Sequence, residues 1–265
     1  MHPKKRSVTT TSLEIASLLR RLPSLAAQLL QEVLLLIYPP TCAGCTRALT
    51  SDKPFCSACF SNLALVSEPY CPLCGIPYGA EAITSHLCSD CLESVHPFDR
   101  ARAAGFYQGL LREVIHRFKY GGQTFLVWPL AKMLIGPARE LTRLHRIDTV
   151  VPVPLHHRRL RQRGFNQSSL LARRLGSLLE VSVDYSSLKR SRWTDPQIGL
   201  SRNQRAVNVK GAFSLKAPAK IRDKGILLVD DVFTTGETVN QCVQVLNDGG
   251  SREVVVLTVA RTVAW

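Results

Sequence analysis

Acidic residues are scarce: the 265-residue chain carries 20 Asp and Glu against 34 Lys and Arg, a formal net charge of +14. A surface so short of acid draws phosphates, whether on a nucleotide or along a nucleic acid backbone. Also lacking is a long unbroken apolar run. The stretch that follows Lys4, Lys5 and Arg6 is interrupted by Gln28, Gln31 and Glu32 and is too short to span a bilayer, so no membrane span is expected. No signal peptide is evident, which points to the cytoplasm and, for a cysteine-rich chain, to metal rather than disulfides. Aromatic residues are thin around the cations: Phe165 and Trp193 are the two near the arginine clusters, whereas single-strand platforms interleave many.

The charge is unevenly spread. Residues 1–38 carry five basic and two acidic groups, residues 39–97 two and five, and residues 98–265 27 and 13. This division suggests an amino-terminal tail with an amphipathic helix (1–38), a cysteine-rich module (39–97) and an α/β domain (98–265). In the first part, Thr11 and Glu14 make a capping box, and Leu25, Leu29, Val33 and Ile37 share a helical face ended by Pro39 and Pro40. Packing on the chain's own domains is the expected use of that face, with a partner helix or a membrane surface as alternatives.

Eight of the nine cysteines form Cys-x-x-Cys pairs: Cys42 and Cys45, Cys56 and Cys59, Cys71 and Cys74, Cys88 and Cys91. Two pairs complete a tetrahedral Zn²⁺ site with Zn–S bonds of about 2.3 Å. The ten and thirteen residues separating successive pairs suit small ribbons, giving two structural Zn²⁺ sites by sequential or interleaved pairing. Four thiolates leave a metal no open position for substrate. Redox chemistry is the competing use of these pairs.

The stretch Ile226 to Thr238, ILLVDDVFTTGET, runs from an apolar strand into two acids and a Thr-Thr-Gly turn. Ile226 to Val229 suit a central strand, which places Asp230 and Asp231 at its carboxyl end, where open α/β sheets bind ligands. The acids offer acceptors to vicinal hydroxyls or to a divalent metal, and the amides of the turn and the helix after it converge on an anion. A plain alternative is an Asp pair that caps that helix.

DDVFTTGET resembles the 5-phosphoribosyl-1-pyrophosphate motif of type I phosphoribosyltransferases, and the chain after about residue 30 resembles the ComF family. That family joins a double zinc ribbon to a phosphoribosyltransferase-like domain. The resemblance implies an α/β fold with a central parallel sheet flanked by helices, preceded by the ribbon. It places Asp230 and Asp231 at the ribose hydroxyls, and Thr234, Thr235, Gly236, Glu237 and Thr238 at the 5-phosphate. Glu237 is a departure, and its side chain is expected to point away from the phosphate.

Two further segments match the family. FKYGG ends a helix at Lys119, a candidate phosphate contact or simply a cation at a helix C-terminus. VPVP followed by RGFNQ resembles the pyrophosphate loop, with Val153, Pro154, Arg159 and Arg163 as contacts and Mg²⁺ accompanying the pyrophosphate. Pro152 and Pro154 fix an extended turn that frees neighbouring amides, and Arg158, Arg159, Arg161 and Arg163 crowd positive charge beside it. A solvated basic loop or a nucleic acid contact is the alternative. From Trp193 to Asn208 the chain lacks periodicity and is expected to form a lid, with Arg205 reaching a phosphate or holding the lid's base by a salt bridge. Pro196, Gln197, Arg205, Asn208 and Gly211-Ala212-Phe213 also match the family.

The reading is therefore a binder of 5-phosphoribosyl-1-pyrophosphate, with phosphoribosyl transfer as its enzymatic extension and DNA uptake in natural competence as the family role. Single-stranded DNA and a helicase-like competence partner are the implied macromolecular partners. A non-enzymatic DNA-handling factor or a ligand sensor is the alternative. No residue declares an acceptor base.

Overall fold

The computed structural model describes residues 40–51, 53–79, 83–193 and 210–263. The amino-terminal tail and helix, Pro196, Gln197, Arg205, Asn208 and most of the expected lid lie outside the described residues. Two short helices, α1 (Ser57–Ser61) and α2 (Ser89–Glu93), precede the first strand, β1 (Arg100–Phe106). Helices α3 (Gly109–Tyr120) and α4 (Val127–Leu144) lead to β2 (Thr149–Pro152). Helices α5 (His157–Arg163) and α6 (Gln167–Leu179) lead to β3 (Leu188–Arg190) and β4 (Phe213–Leu215). The chain then runs through β5 (Gly225–Phe233), α7 (Glu237–Asp248) and β6 (Glu253–Arg261).

GILLVDDVF and EVVVLTVAR are apolar on both alternations, a pattern that only a strand covered on both faces can hide. They form β5 and β6 at the centre of a parallel sheet of order β1-β6-β5-β2. Leu227, Val229, Val255 and Leu257 face one layer with α3, α4 and α6, while Ile226, Leu228, Val254 and Val256 face the other with α7, β3 and β4. Strands β3 and β4 pair antiparallel as a separate small sheet. Among the described residues no helix is long and apolar enough to cross a membrane.

The cysteine module straddles the sheet at β1. Cys42, Phe55 and Leu63 join the hydrophobic core on one face, and Cys71, Cys74 and Phe98 the core on the other. The Phe106 N–H donates to Ala64 O at 2.8 Å, and the Ala101 N–H to Leu73 O at 2.8 Å. Backbone that would otherwise be a bare sheet edge is thus occupied by the ribbon. Gly105 permits the approach, since a Cβ there would lie 2.8 Å from Ala64 O.

Apolar periodicity predicts helices over Leu126 to Leu134 and around Glu140, a buried Leu178 on the helix after Asn166 and a strand over Val181 to Tyr185; the structure differs at each of these and at the arginine-rich loop. Helices over Leu126 to Leu134 and around Glu140 are one, α4, which passes through Pro137 because Leu130, Leu134, Ala138 and Leu141 form one buried stripe along it. The arginine-rich loop is the helix α5, ended by Gly164 at φ 80°. On α6, Leu178 is exposed while Gln167 and Ser168 are buried, because the carboxyl end of the sheet needs polar groups there. The strand expected over Val181 to Tyr185 shrinks to a single bridge, Val183 to Val150. Asp184 Oδ1 accepts from the Ser186 N–H at 2.7 Å and turns the chain away from the edge.

Candidate functional site

The acid pair sits on a step in the sheet. The last β2–β5 pair is Pro152 with Val229, whereas β5 stays paired with β6 to Phe233 and Arg261. Asp230 and Asp231 therefore lie beyond the end of β2, where one flank of their strand is uncovered. A cleft of about 1150 Å³ opens there. Its floor is Asp230, Asp231 and the turn after them; one wall is Tyr107 with α3, and the other is Val153, Pro154 and α5, with Arg190 and Trp193 at the rim of that side.

The two acids are not equivalent. Asp230 Oδ1 accepts from Ser168 Oγ at 2.8 Å and from the Asp231 N–H at 2.9 Å. Asp231 Oδ1 lies 2.7 Å from Lys119 Nζ. Burial alone would lower the Lys119 pKa, but the Asp231 carboxylate outweighs it and holds that pKa above its ordinary value. Burial, with the charge of Asp231 second, pushes Asp230 up to about 7 against the opposing Ser168 hydrogen bond. Asp231 Oδ2 is buried and has no hydrogen-bond partner among the described residues. An acceptor left open in this way is suited to a ligand hydroxyl, since an unmet buried oxygen carries a penalty of about 1–3 kcal/mol. The pair is not built as a cation cage, because an ammonium already stands against it.

After Phe233 the chain turns at Gly236, φ 81°, and enters α7. A Cβ at Gly236 would stand 2.8 Å from the Phe233 ring. Thr234, Gly236 and Thr238 reach the cleft, while Glu237 is not part of its lining. The Thr235 hydroxyl is buried with no hydrogen-bond partner among the described residues. The first amides of α7 are unsatisfied by the helix itself, so the turn can receive an anion.

The opposite wall is basic. Val153 and Pro154 line the cleft, but the Val153 N–H is not free for a ligand as the two prolines suggested. It donates to Val229 O at 2.9 Å, and Val153 O accepts from Asn166 Nδ2 at 3.1 Å. Arg159 and Arg163 both reach the cleft. The Arg163 guanidinium lies 4.6 Å from the centre of the Tyr120 ring and donates to Gln167 Oε1 at 3.1 Å. Arg158 and Arg159 flank Trp193 at 5.6 and 5.4 Å. Lys119 reaches the floor and touches Asp231. Ser168, Arg190, Arg112, His116 and Tyr107 line the cleft without having been singled out in the sequence, and Tyr120 entered only as part of FKYGG. Each is remote from the acid motif in the chain, and position on a helix face is the signal that could have found Arg112, His116 and Tyr120.

The cysteines gather into two clusters, Cys42, Cys45, Cys56 and Cys59, and Cys71, Cys74, Cys88 and Cys91, each with its sulfurs within 4.8 Å of one another. Pairing is therefore sequential. The sulfurs of Cys45 and Cys56 are 3.8 Å apart and those of Cys74 and Cys88 3.7 Å apart. Burial and the neighbouring Cys56, Cys42 and Cys45 push the Cys59 thiol up to about 12. Thiols so crowded ionise together when a cation sits among them, and the donor set fits Zn²⁺.

Comparison with known proteins agrees with this architecture. The family described as a double zinc ribbon domain matches residues 33–99, and that described as a phosphoribosyl transferase domain matches residues 161–263. The DNA utilization protein YhgH of Escherichia coli is 35% identical over 233 residues, covering 86% of this chain and all of that protein, 100%. Competence protein F of Haemophilus influenzae is 34% identical over 227 residues, 83% of this chain and 96% of that one. A purine phosphoribosyltransferase structure from Pyrococcus horikoshii is 16% identical, covers 51% of this chain and 84% of its own, and has a TM-score of 0.33, too low an overlap to carry weight.

Proposed function

The chain belongs to the ComF family of competence and DNA utilization proteins, and from that premise we propose that its cleft binds 5-phosphoribosyl-1-pyrophosphate or a related phosphoribosyl ligand. The observation that carries this reading is the unpartnered carboxylate oxygen of Asp231, in a cleft that Arg159 and Arg163 also line. Ribose hydroxyls meet Asp230 and Asp231. The 5-phosphate lies in the turn of Thr234, Thr235, Gly236 and Thr238, where helix amides and small hydroxyls suit it. The pyrophosphate lies against Arg159 and Arg163, with Arg205 closing from the expected lid. Arg112, Lys119, Arg159, Arg163 and Arg190 against Asp230 and Asp231 leave the cleft net positive, as a polyphosphate requires. Lys119 is then a partner of the acids rather than a direct phosphate contact.

Mg²⁺ enters with the pyrophosphate, whose charge it would partly neutralise. If transfer follows, these arginines stabilise the departing pyrophosphate while the ribose C1 becomes electron-poor. Two Zn²⁺ ions, one in each Cys cluster, hold the ribbon and play no chemical part. The domain division at residues 38 and 97 is part of the same reading.

A second reading has its own support. Trp193, with two guanidiniums within 5.6 Å of its ring, joins an aromatic surface to positive charge, the pairing that single-stranded nucleic acid uses. A phosphoribosyl site that senses or gates nucleotides in a cytoplasmic DNA-uptake complex, beside a helicase-like partner, accommodates both. The deciding experiment is calorimetry of the zinc-loaded chain with 5-phosphoribosyl-1-pyrophosphate and Mg²⁺. Saturable binding is expected, and no heat at millimolar ligand would sink the proposal. A salt series with single-stranded oligonucleotides tests the second reading, which fails if binding is weak and independent of salt.

A further inference from the structure

An ammonium 2.7 Å from one member of a buried acid pair is a specific arrangement: Lys119 is carried by α3, whereas Arg159 and Arg163 of the same cleft are carried by α5. The other member, Asp230, is held differently. Its Oδ1 accepts two hydrogen bonds, from Ser168 of α6 and from the Asp231 amide, so Oδ1 is the oxygen that stays bare. We infer that Lys119 is a positioning residue that splits the acid pair into unlike halves, engaging Asp231 through Oδ1 so that its unpartnered Oδ2 is left as an acceptor, and leaving the proton of the pair on Asp230 Oδ2.

The groups around the pair agree. Lys119 also feels Asp230 and Tyr107, which follows β1. The Cys242 thiol of α7 is buried beside Asp230 and stays protonated, its burial and the Asp230 charge both acting in that direction. Arg190 of β3 is the second cation that senses Asp230, and burial weakens its hold on its proton. Two carboxylates at adjacent positions, both nearly without solvent, cannot share one cation equally when that cation contacts one of them. The nearer one, Asp231, holds the ammonium.

The consequence rests on the phosphoribosyl reading. A vicinal diol would meet one acceptor, Asp231 Oδ2, and one donor, the Asp230 hydroxyl, so the floor distinguishes the two hydroxyls by their direction of donation. Loss of either hydroxyl then leaves a buried group unmet, which selects a ribosyl over a deoxyribosyl ligand.

The test needs no ligand. Carboxyl carbons of the full zinc-loaded chain, labelled with ¹³C-aspartate, are followed by NMR against pH. One resonance, absent in Asp230→Asn, is expected to titrate near 7 rather than at the ordinary 3.8. In Lys119→Gln, which removes a cation that opposes the rise, the Asp230 midpoint is expected to move further upward, and in Lys119→Arg to stay as in the native chain. An Asp230 carboxyl that ionises in the ordinary range, or a Lys119→Gln pattern identical to the native one, overturns the inference. If Lys119→Gln does not fold, the native and Asp230→Asn titrations decide alone. Calorimetry on the same sample separates the two ideas: split titration without ligand binding removes only the phosphoribosyl reading, and binding with an ordinary Asp230 titration removes only this one.

Discussion

Arg261, at the end of β6, donates from Nη1 to the carbonyl of Cys74 at 2.6 Å, a buried bond that ties the last strand to the second cysteine cluster. The same guanidinium lies 5.4 Å from the Phe233 ring, and Phe233 in turn closes against Gly236 of the anion turn. A cysteine knuckle and the floor of the cleft are thus three contacts apart. On the other face Arg117 of α3 donates to the carbonyls of Ala43 and Gly44, and α3 also carries Lys119. The ribbon is fastened to two elements that shape the cleft, so a metal held in either cysteine cluster would bear on the shape of the cleft without touching it.

Arg261→Ala is expected to free the second knuckle. A hydrogen bond from a charged donor contributes about 1.5–3 kcal/mol. Loss on that scale would speed zinc release from the Cys71 cluster roughly tenfold or more and leave the Cys42 cluster unchanged. A chromogenic chelator, read as two kinetic phases of zinc release, measures this. Equal acceleration of both phases would mean general unfolding instead.

Stability should fall as pH rises through the range where Asp230 titrates. Its folded-state pKa is raised from the ordinary 3.8 to about 7, first by burial and then by Asp231. Between those values the folded state binds more protons than the unfolded one, so the slope of unfolding free energy with pH is negative for this group. The penalty is absent below the unfolded pKa and complete above the folded one. Asp230→Asn removes it. Urea denaturation at pH 5 and pH 8 should show the variant gaining on the native chain at the higher pH, and a constant difference would refute the assignment.

The sequence disclosed the parts of the site that are local and withheld those that are not. ILLVDDVFTTGET could be read because strand, acids, turn and helix follow one another, and each step has its own composition. Cys-x-x-Cys spacing disclosed the clusters but left their pairing open, since two turns of backbone say nothing about which neighbours they meet. Lys119 was visible as a basic residue near a helix end, yet its partner, Asp231, lies far along the chain and is met only when α3 packs on the sheet. Ser168 and Arg190 carry no local mark. Pro137 lies within α4 although a local rule favours a break there, because the buried stripe of that helix overrides it.

Gly236→Ala is expected to damage the anion turn. The residue holds φ 81°, and a Cβ would press on the Phe233 ring at 2.8 Å. A left-handed backbone costs an Ala about 1–2 kcal/mol before that clash is counted. Thermal unfolding should shift down by several degrees, on the order of 2–4 °C per kcal/mol. Affinity for ribose 5-phosphate should drop further than that of a surface control. Unchanged affinity would show that the phosphate sits elsewhere.

Arg163 and Arg161 share one short helix and carry the same charge, but only Arg163 reaches the cleft wall, while Arg161 is exposed. A direct contact and a diffuse basic field therefore predict different outcomes. If pyrophosphate lies against this wall, Arg163→Ala loses a charge-assisted bond, about 1.5–3 kcal/mol, or roughly ten- to a hundred-fold in affinity. Arg161→Ala then changes affinity less than about twofold, since an exposed cation is screened beyond about 10 Å at ordinary ionic strength. For a single-stranded DNA track the expectation reverses in kind: each arginine contributes similarly, and the slope of binding against salt flattens by about one phosphate contact in each variant. Parallel titrations of both variants with inorganic pyrophosphate and with a short oligonucleotide separate the cases. Equal losses for pyrophosphate would argue against a built pyrophosphate site, because a site that positions its ligand must distinguish an arginine that touches it from a neighbour two residues away on the outer face.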